Sequence, residues 1–230
     1  MNVALILAGG TGSRLGADIP KQYLEVAGRP VIAYCLETMT GYTGIDAIQI
    51  VAEELWRPLI QKWAGEKLQG FSEPGRNRQM SILNGLEDIR AYAPDDAVVL
   101  IHDSARPLVS VQTIAACIEG CAEHEGVMPA LPMKDTVYYG VSGRIDALLD
   151  RSRVIAGQAP EAFRLGRYYQ ANRALSEEKL LAINGSTEPA VMAGMDVCYI
   201  AGDERNFKVT TKEDLERFSR IVSDGEGCRI

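Results

Sequence analysis

Histidine and aromatic residues are scarce in this 230-residue chain, with two histidines, two tryptophans and four phenylalanines. Neither His102 nor His124 has a serine or cysteine arranged with it in the manner of a hydrolase triad. The five cysteines, Cys35, Cys117, Cys121, Cys198 and Cys228, are scattered and form no metal-ligand pairs. Cys117 and Cys121 share a helix face and could in principle hold a soft metal, but their neighbours are small and apolar, where a thiol acts as a small hydrophobe. Positive charge is also short. Lys and Arg total 24 against 31 Asp and Glu, a formal charge of −7, so there is no electrostatic footprint for nucleic acid. An anionic ligand must instead be drawn by a local cluster of cations. No apolar run approaches a membrane span, and the first strand starts without the basic flank or cleavage site of a secretory signal. The expected location is the cytoplasm, with no membrane or nucleic-acid partner. The length suits one well-buried α/β core.

Glycine is abundant where it matters. Leu5-Ile6-Leu7-Ala8 runs directly into Gly9-Gly10-Thr11-Gly12-Ser13-Arg14-Leu15-Gly16, followed by Pro20-Lys21-Gln22-Tyr23-Leu24. An apolar strand feeding a glycine loop is the layout of a phosphate cradle, because the loop can bring backbone N–H groups close to an anion. Arg14 and Lys21 supply the charge that a triphosphate needs. The dinucleotide pattern G-x-G-x-x-G is broken at its third glycine, and no Gly-Lys-Ser/Thr of a P-loop follows. A purely structural turn accounts for the glycines but not for Arg14 or Pro20-Lys21-Gln22.

Short β-branched runs at 3–8, 45–52, 97–101, 127–131 and 196–200 read as strands. Helical periodicity lies between them, at 30–39, 81–91, after Ser110, at 168–175 and after Thr211, with Ser110 and Thr211 as N-caps. This alternation predicts an α/β fold, a Rossmann-like mostly parallel sheet with helices on both faces, whose ligand sits at the carboxyl ends of the strands. The stretch 134–151 departs from it and reads as a β-hairpin arm turning at Ser142-Gly143. Its adjacent Tyr138 and Tyr139 face opposite sides, which suits an isolated hairpin in water poorly. A single domain over 1–222 that includes this arm, with a flexible tail at 223–230, is expected.

These blocks resemble the cytidylyltransferases that act on small sugar-alcohol phosphates, in two sister groups specific for 2-C-methyl-D-erythritol 4-phosphate and for ribitol 5-phosphate. Beyond the glycine loop, the likeness rests on Arg78-Gln79-Met80-Ser81-Ile82-Leu83-Asn84-Gly85-Leu86, His102-Asp103-Ser104-Ala105-Arg106-Pro107, Lys134-Asp135-Thr136-Val137 and Asn206-Phe207-Lys208-Val209-Thr210-Thr211. It spans Val3 to about Val222. It implies transfer of CMP from CTP to a polyol phosphate, with release of pyrophosphate and with Mg²⁺ as cofactor. Arg14 and Lys21 would grip the triphosphate, and Lys208 would sit by the α-phosphate and the acceptor phosphate; these three are the catalytic candidates. The nucleotide would be bound by Ala8, Gly9, Gly10, Thr11 and Gly12, by Gly75, Arg78 and Ser81, and by Ser104. The arm would embrace a second subunit, so that Thr136 and Arg151 bind the partner's acceptor in a homodimer, together with Asp103 and Lys208. A hairpin folded back on its own domain is the alternative.

Asp103 ends an apolar strand, where an unpaired carboxylate is costly unless a cation meets it. Mg²⁺ held by one carboxylate and waters is one such cation, and Arg106 three residues on is another. No general base is required, since a phosphate monoester is already an anionic nucleophile at neutral pH.

The acceptor half departs from the pattern. The block Gln-Thr-Pro-Gln appears as Gln158-Ala159-Pro160-Glu161, and ungapped alignment back from Lys208 puts Asn184-Gly185 where a Thr/Ser-Asp pair is expected. Ser186-Thr187-Glu188 substitutes if the loop shifts. On the nucleotide side, Pro74-Gly75 stands in place of two glycines. Ser81–Leu86 and Lys134-Asp135-Thr136 favour the methylerythritol phosphate group; Leu175–Lys179 and His102-Asp103-Ser104 lean towards the ribitol phosphate group. Two other classes remain open. A nicotinamide oxidoreductase would need a ribose-binding acid at the end of the second strand, which Ile50-Val51-Ala52 lacks, although Glu53-Glu54 follow. A silent nucleotide sensor would bind CTP without turnover.

Overall fold

The computed structural model describes residues 1–10 and 19–225. The chain runs β1 (Asn2–Leu7), β2 (Glu25–Val26), β3 (Arg29–Pro30), α1 (Val31–Gly41), β4 (Ala47–Val51), α2 (Arg57–Ala64), β5 (Leu68–Ser72), α3 (Arg78–Ile89), β6 (Val98–Asp103) and α4 (Val111–Gly120). It continues with β7 (Gly126–Pro132), β8 (Tyr138–Val141), β9 (Arg144–Leu148), β10 (Ile155–Gly157), β11 (Glu161–Arg164) and α5 (Leu165–Arg173). The last elements are α6 (Glu177–Ala182), α7 (Glu188–Met192), β12 (Val197–Ala201) and α8 (Lys212–Ser223).

One eight-stranded sheet carries the fold, in the order β10-β7-β11-β6-β1-β4-β5, with β12 paired to β7. β5, β4, β1, β6, β7 and β12 run in one direction, while β10 and β11 run against them. The mostly parallel α/β sheet is therefore as the sequence pattern predicts. β11 was not anticipated: it is a four-residue strand inserted between β6 and β7, too short to show a period of its own. β5, β10, α2, α6 and α7 were also unanticipated, and several helices begin earlier than their apolar stripes suggest. α3 starts at Arg78 because the Asn77 side chain accepts from Met80 N, and α5 starts at Leu165. Pro30, expected in a first turn, is instead the residue before α1. The caps at Ser110 and Thr211 are as expected, the latter forming a full capping box with Asp214.

Strand alternation distributes apolar side chains to both faces. Ala4, Ile6, Ile48, Ile50 and Leu100 pack with Ile32, Leu36 and Met39 of α1, Ile60 of α2 and Ile114 of α4. Val3, Leu5, Val99 and Ile101 pack on the opposite face with Ile82, Leu86 and Ile89 of α3 and with Leu165 and Tyr168 of α5. Cys117 and Cys121 are fully buried, and burial pushes the Cys121 thiol up to about 11, in keeping with small hydrophobes. Among the described residues, no helix is long and apolar enough to cross a membrane.

The hairpin at 134–151 is present as a separate two-stranded sheet of β8 and β9. Ser142 and Gly143 both take positive φ, 52° and 80°, which matches the twist of a tight hairpin turn. The arm leaves Tyr138, Tyr139, Val141, Ile145 and Leu148 exposed. The tail expected at 223–230 falls mostly outside the described residues, and α8 itself reaches Ser223.

Helix α3 lies so close to β1 that a Cβ on Gly85 would collide with the buried Leu5 side chain. Gly85→Ala is expected to cost about 1–3 kcal/mol through overpacking, outweighing any gain in helix propensity. Urea denaturation gives the value, and an unchanged or raised midpoint would contradict the close approach.

Candidate active site

The carboxyl ends of β1 and β6 open into a cavity of about 740 Å³ lined by Gly9, Gly10, Lys21, Arg78, Asp103 and Lys208, among others. The described part of the glycine loop is held from below. Gln22 Nε2 donates to the carbonyls of Ala8 and Gly10 at 2.7 Å each, and Tyr23 Oη donates to Ala8 O at 2.9 Å. Tyr23 in turn stacks on Trp56 with ring centroids 4.3 Å apart. Gly9 permits a close approach across the cavity mouth, since a Cβ there would lie 2.8 Å from Pro74. Pro74 thus packs against the loop in place of the second glycine that the resemblance leads one to expect.

Asp103 is the hub. It ends β6 and is 8% exposed. Its Oδ1 accepts from Arg78 Nε at 2.9 Å and its Oδ2 from Lys208 Nζ at 2.8 Å, while Arg106 Nε lies 3.9 Å from Oδ2. Burial pushes the carboxyl up, but Arg78, Lys208 and Arg106 together hold it well below the usual carboxylate range. The burial that called for a metal at Asp103 is therefore already answered by protein cations. Arg106, the other candidate, is a looser partner, and its Nη1 donates instead to Asn206 O at 2.6 Å. Among the described residues, no group of three or more His, Cys, Asp or Glu is placed to hold a metal ion.

A polar chain continues inwards from Arg78. Its Nη1 donates to Ser186 Oγ at 2.8 Å, and Ser186 Oγ donates to Glu161 Oε2. Tyr168 Oη donates to Ser186 O at 2.7 Å. Ser186, not Asn184, is thus the residue that reaches the site. The backbone N–H of Asn184 binds Glu188 and its side chain donates to Ala182 O, both at the surface.

Of the residues expected to bind nucleotide, Gly9, Gly10, Gly75, Arg78, Ser81 and Ser104 all line the cavity, and Ala8 lines a smaller neighbouring one. Two hydroxyls have structural duties. Ser81 Oγ accepts from Gly75 N and donates to Asn77 O, each at 2.9 Å, and Ser104 Oγ donates to Leu7 O at 2.7 Å. Gly75 is required sterically, because a Cβ would come within 2.7 Å of Ser81 N. Thr11, Gly12 and Arg14 lie outside the described residues. Thr136 and Arg151 are away from this cavity. Both are exposed near the base of the arm, where Arg151 Nη1 donates to Lys134 O at 2.6 Å and the residue lines a separate hollow with Tyr199.

Gln22 was not singled out as a site residue, and Glu161 and Ser186 entered only within the two acceptor blocks that depart from the resembled pattern. For Gln22 the signal was at hand in Pro20-Lys21-Gln22, since a polar side chain directly after a loop cation can return to the loop carbonyls. No local signal marks Ser186.

His102 sits beside Asp103 but is neutral, because full burial lowers its pKa to about 4; its Nε2 lies 3.0 Å from Arg106 O. It holds the loop after β6 and offers no proton chemistry to the cavity.

Similarity to known proteins follows this geometry. The family model IspD, 2-C-methyl-D-erythritol 4-phosphate cytidylyltransferase, matches residues 2–224. The chain is 33% identical over 228 residues to 2-C-methyl-D-erythritol 4-phosphate cytidylyltransferase of Geotalea uraniireducens, covering 96% of this chain and 97% of that one. It is equally, at 33% over 237 residues, identical to ribitol-5-phosphate cytidylyltransferase of Streptococcus agalactiae, covering 100% and 98%. Against the bifunctional enzyme IspD/IspF of Granulibacter bethesdensis identity is 36% over 230 residues, and the chain spans 56% of that longer protein. A crystal structure of 4-diphosphocytidyl-2C-methyl-D-erythritol synthase superposes with a TM-score of 0.81 at 26% identity, covering 96% of this chain and 98% of that one.

Removing the hub's charge tests the electrostatics. Asp103→Asn leaves three cations without their carboxylate and is expected to lower stability by about 2–4 kcal/mol at pH 7. Asp103 has a depressed folded-state pKa, so its contribution is present above its ordinary value of 3.8 and is lost as pH falls below it. The gap between wild type and variant should therefore narrow in acid. Chemical denaturation at pH 7 and pH 3 checks this, and an equal gap at both would contradict it.

Proposed function

The chain belongs to the 2-C-methyl-D-erythritol 4-phosphate cytidylyltransferase (IspD) family, and we propose that it transfers CMP from CTP to 2-C-methyl-D-erythritol 4-phosphate, releasing pyrophosphate. The observation that carries the reading is the set of cations gathered at the cavity around one buried carboxylate, with Lys208 Nζ fixed 2.8 Å from Asp103 and Lys21 lining the same space. An acceptor phosphate oxygen attacks the α-phosphorus, a new P–O bond forms, and the bond to the β-phosphate oxygen breaks as pyrophosphate leaves. Charge builds on the phosphoryl oxygens during this step, and cations placed in advance stabilise it without reorganisation. Lys208 and Lys21 are suited to that role, together with Arg14 from the loop. The acceptor phosphate needs no base, and His102 is buried and neutral.

The nucleotide's base and ribose are placed at the Gly75–Ser81 side, where the start of α3 and the Gly75 backbone form one wall. Asp103 binds the acceptor and positions Lys208. Asp103 is the residue that would meet Mg²⁺, but both of its oxygens already face cations, Arg78 and Lys208, so no step is routed through a metal there. When bound, Mg²⁺ neutralises the phosphate charge. The reaction is placed in the cytoplasm, where CTP is available.

The exposed arm supports a homodimer. Five large apolar residues of β8 and β9 stand in solvent, and Thr136 and Arg151 lie outside the chain's own cavity, as an acceptor contact given to a partner would require. Ribitol 5-phosphate is the second acceptor to consider, because the chain is as similar to a ribitol-5-phosphate cytidylyltransferase as to a methylerythritol phosphate enzyme.

Pyrophosphate release from CTP and Mg²⁺ should be greatest with 2-C-methyl-D-erythritol 4-phosphate in a panel that includes ribitol 5-phosphate, and Lys208→Ala should lower it at least about 100-fold. Faster release with ribitol 5-phosphate would reverse the order of acceptors. CTP binding without release on any acceptor would leave a nucleotide sensor.

The cross-subunit site has its own test. Arg151→Ala and Lys208→Ala, each nearly inactive alone, should regain up to about a quarter of wild-type activity when co-expressed, because half the dimers are mixed and each mixed dimer has one intact site. No recovery in a dimeric preparation would return Arg151 to its own subunit.

A further inference from the structure

Glu161 is an acid with no direct place in the reaction just described. It opens β11, the antiparallel strand set between β6 and β7, and its register partner Ile101 lies two residues before Asp103. The residue is 8% exposed. A carboxylate in such a place is retained at a cost unless its charge or its hydrogen bonds do something that an apolar residue cannot.

What it touches defines the role. Ser186 Oγ donates to Glu161 Oε2 and accepts from Arg78 Nη1, so one hydroxyl links the buried acid to the guanidinium that also grips Asp103. Ser186 is fully buried, and its carbonyl is tied by Tyr168 Oη, so this link has no freedom to swing. Arg78 is anchored at Nε by Asp103 and at Nη1 by Ser186, with the rest of its guanidinium towards the cavity it lines.

We propose that Glu161 is a positioning residue for the phosphate-binding cluster: through Ser186 it fixes the Arg78 guanidinium, and its own charge sets the net positive charge that the bound nucleotide meets. The proposal rests on the CTP-binding reading above. The groups facing Glu161 are Arg78 from α3, Asp103 from β6, Arg106 from the loop after it, Cys117 from α4, Tyr168 from α5, and Ser186 and Thr187 before α7. Lys208 joins through Asp103. Burial raises the carboxyl and Asp103 adds to this, while Arg78, Arg106 and a Thr187 hydrogen bond oppose it, leaving it at about 7. Three cations against Asp103 alone leave two positive charges; an ionised Glu161 reduces these to one. Rising pH through neutrality thus weakens the attraction for a triphosphate, and Glu161→Gln, nearly isosteric and permanently neutral, holds the stronger state.

The test is CTP affinity by titration calorimetry between pH 6 and 8.5 on the wild type, Glu161→Gln and Ser186→Ala, with circular dichroism to establish folding. The ligand's own titration is common to all three and cancels in the ratios. The ratio of wild-type to Glu161→Gln Kd should be near one at pH 6 and about three to ten at pH 8.5. Ser186→Ala, which cuts the link but keeps the acid, should raise Kd about fivefold at pH 7.5. Parallel pH profiles for wild type and Glu161→Gln would overturn the charge-setting role. A Ser186→Ala Kd equal to that of wild type would overturn the positioning role, and this variant decides the matter even if Glu161→Gln does not fold. A wild type that binds no CTP at any pH would remove the nucleotide reading itself, and this inference with it.

Discussion

A carboxylate at the end of a buried strand must be neutralised, and the placement of several distant segments follows from how Asp103 meets that demand. Arg78 comes from the first turn of α3, Lys208 from the segment after β12, and Arg106 from the loop after β6. No two of these lie near each other in sequence except Asp103 and Arg106. Arg78, Asp103 and Lys208 all line the cavity, so the ion cluster is both a structural knot and a binding surface. Each cation is partly spent on Asp103, which keeps them together in the absence of a phosphate. It also leaves donor capacity on Arg78 and Lys208 for one.

The second constraint is steric. Backbone must approach backbone wherever the cavity is to accept a phosphate rather than a side chain, and Gly9 and Gly75 are the positions where a Cβ would obstruct it. The start of the loop is tied down, because Gln22 and Tyr23 fill the carbonyl acceptors of Ala8 and Gly10. The Ser81 and Ser104 hydroxyls serve the same scaffolding, although sequence alone suggested that they face the ligand.

The cluster's polar continuation through Ser186 to Glu161 connects this surface to the core. Such a network is stable only when every member is satisfied, and here each named hydroxyl and carboxylate has a partner. It couples the geometry at Arg78 to β11 and to the segment before α7, the region where the chain departs most from the resembled pattern. The arm is the opposite case. It forms its own two-stranded sheet and exposes its apolar side chains.

Much of this was legible locally. Short apolar runs mark β1, β4, β6, β7 and β12, and β1, β4 and β6 are continuous runs because helices cover both faces of the central sheet; caps at Ser110 and Thr211 and the Ser142-Gly143 turn follow from short-range hydrogen bonding and backbone sterics. Lys21 was recognisable beside the glycine loop and Asp103 at the end of an apolar strand, whereas Arg78 and Lys208 were marked by blocks that resemble the cytidylyltransferase family. The sequence by itself thus determined the α/β class, the glycine loop, the arm and the main cations. Tertiary structure alone decided that β11 inserts antiparallel between β6 and β7, that Ser186 rather than Asn184 reaches the site, and that Asp103 is neutralised by Arg78 and Lys208. Those outcomes depend on pairing energies and ion-pair distances between segments as much as 108 residues apart, and no local periodicity or cap encodes such a distance.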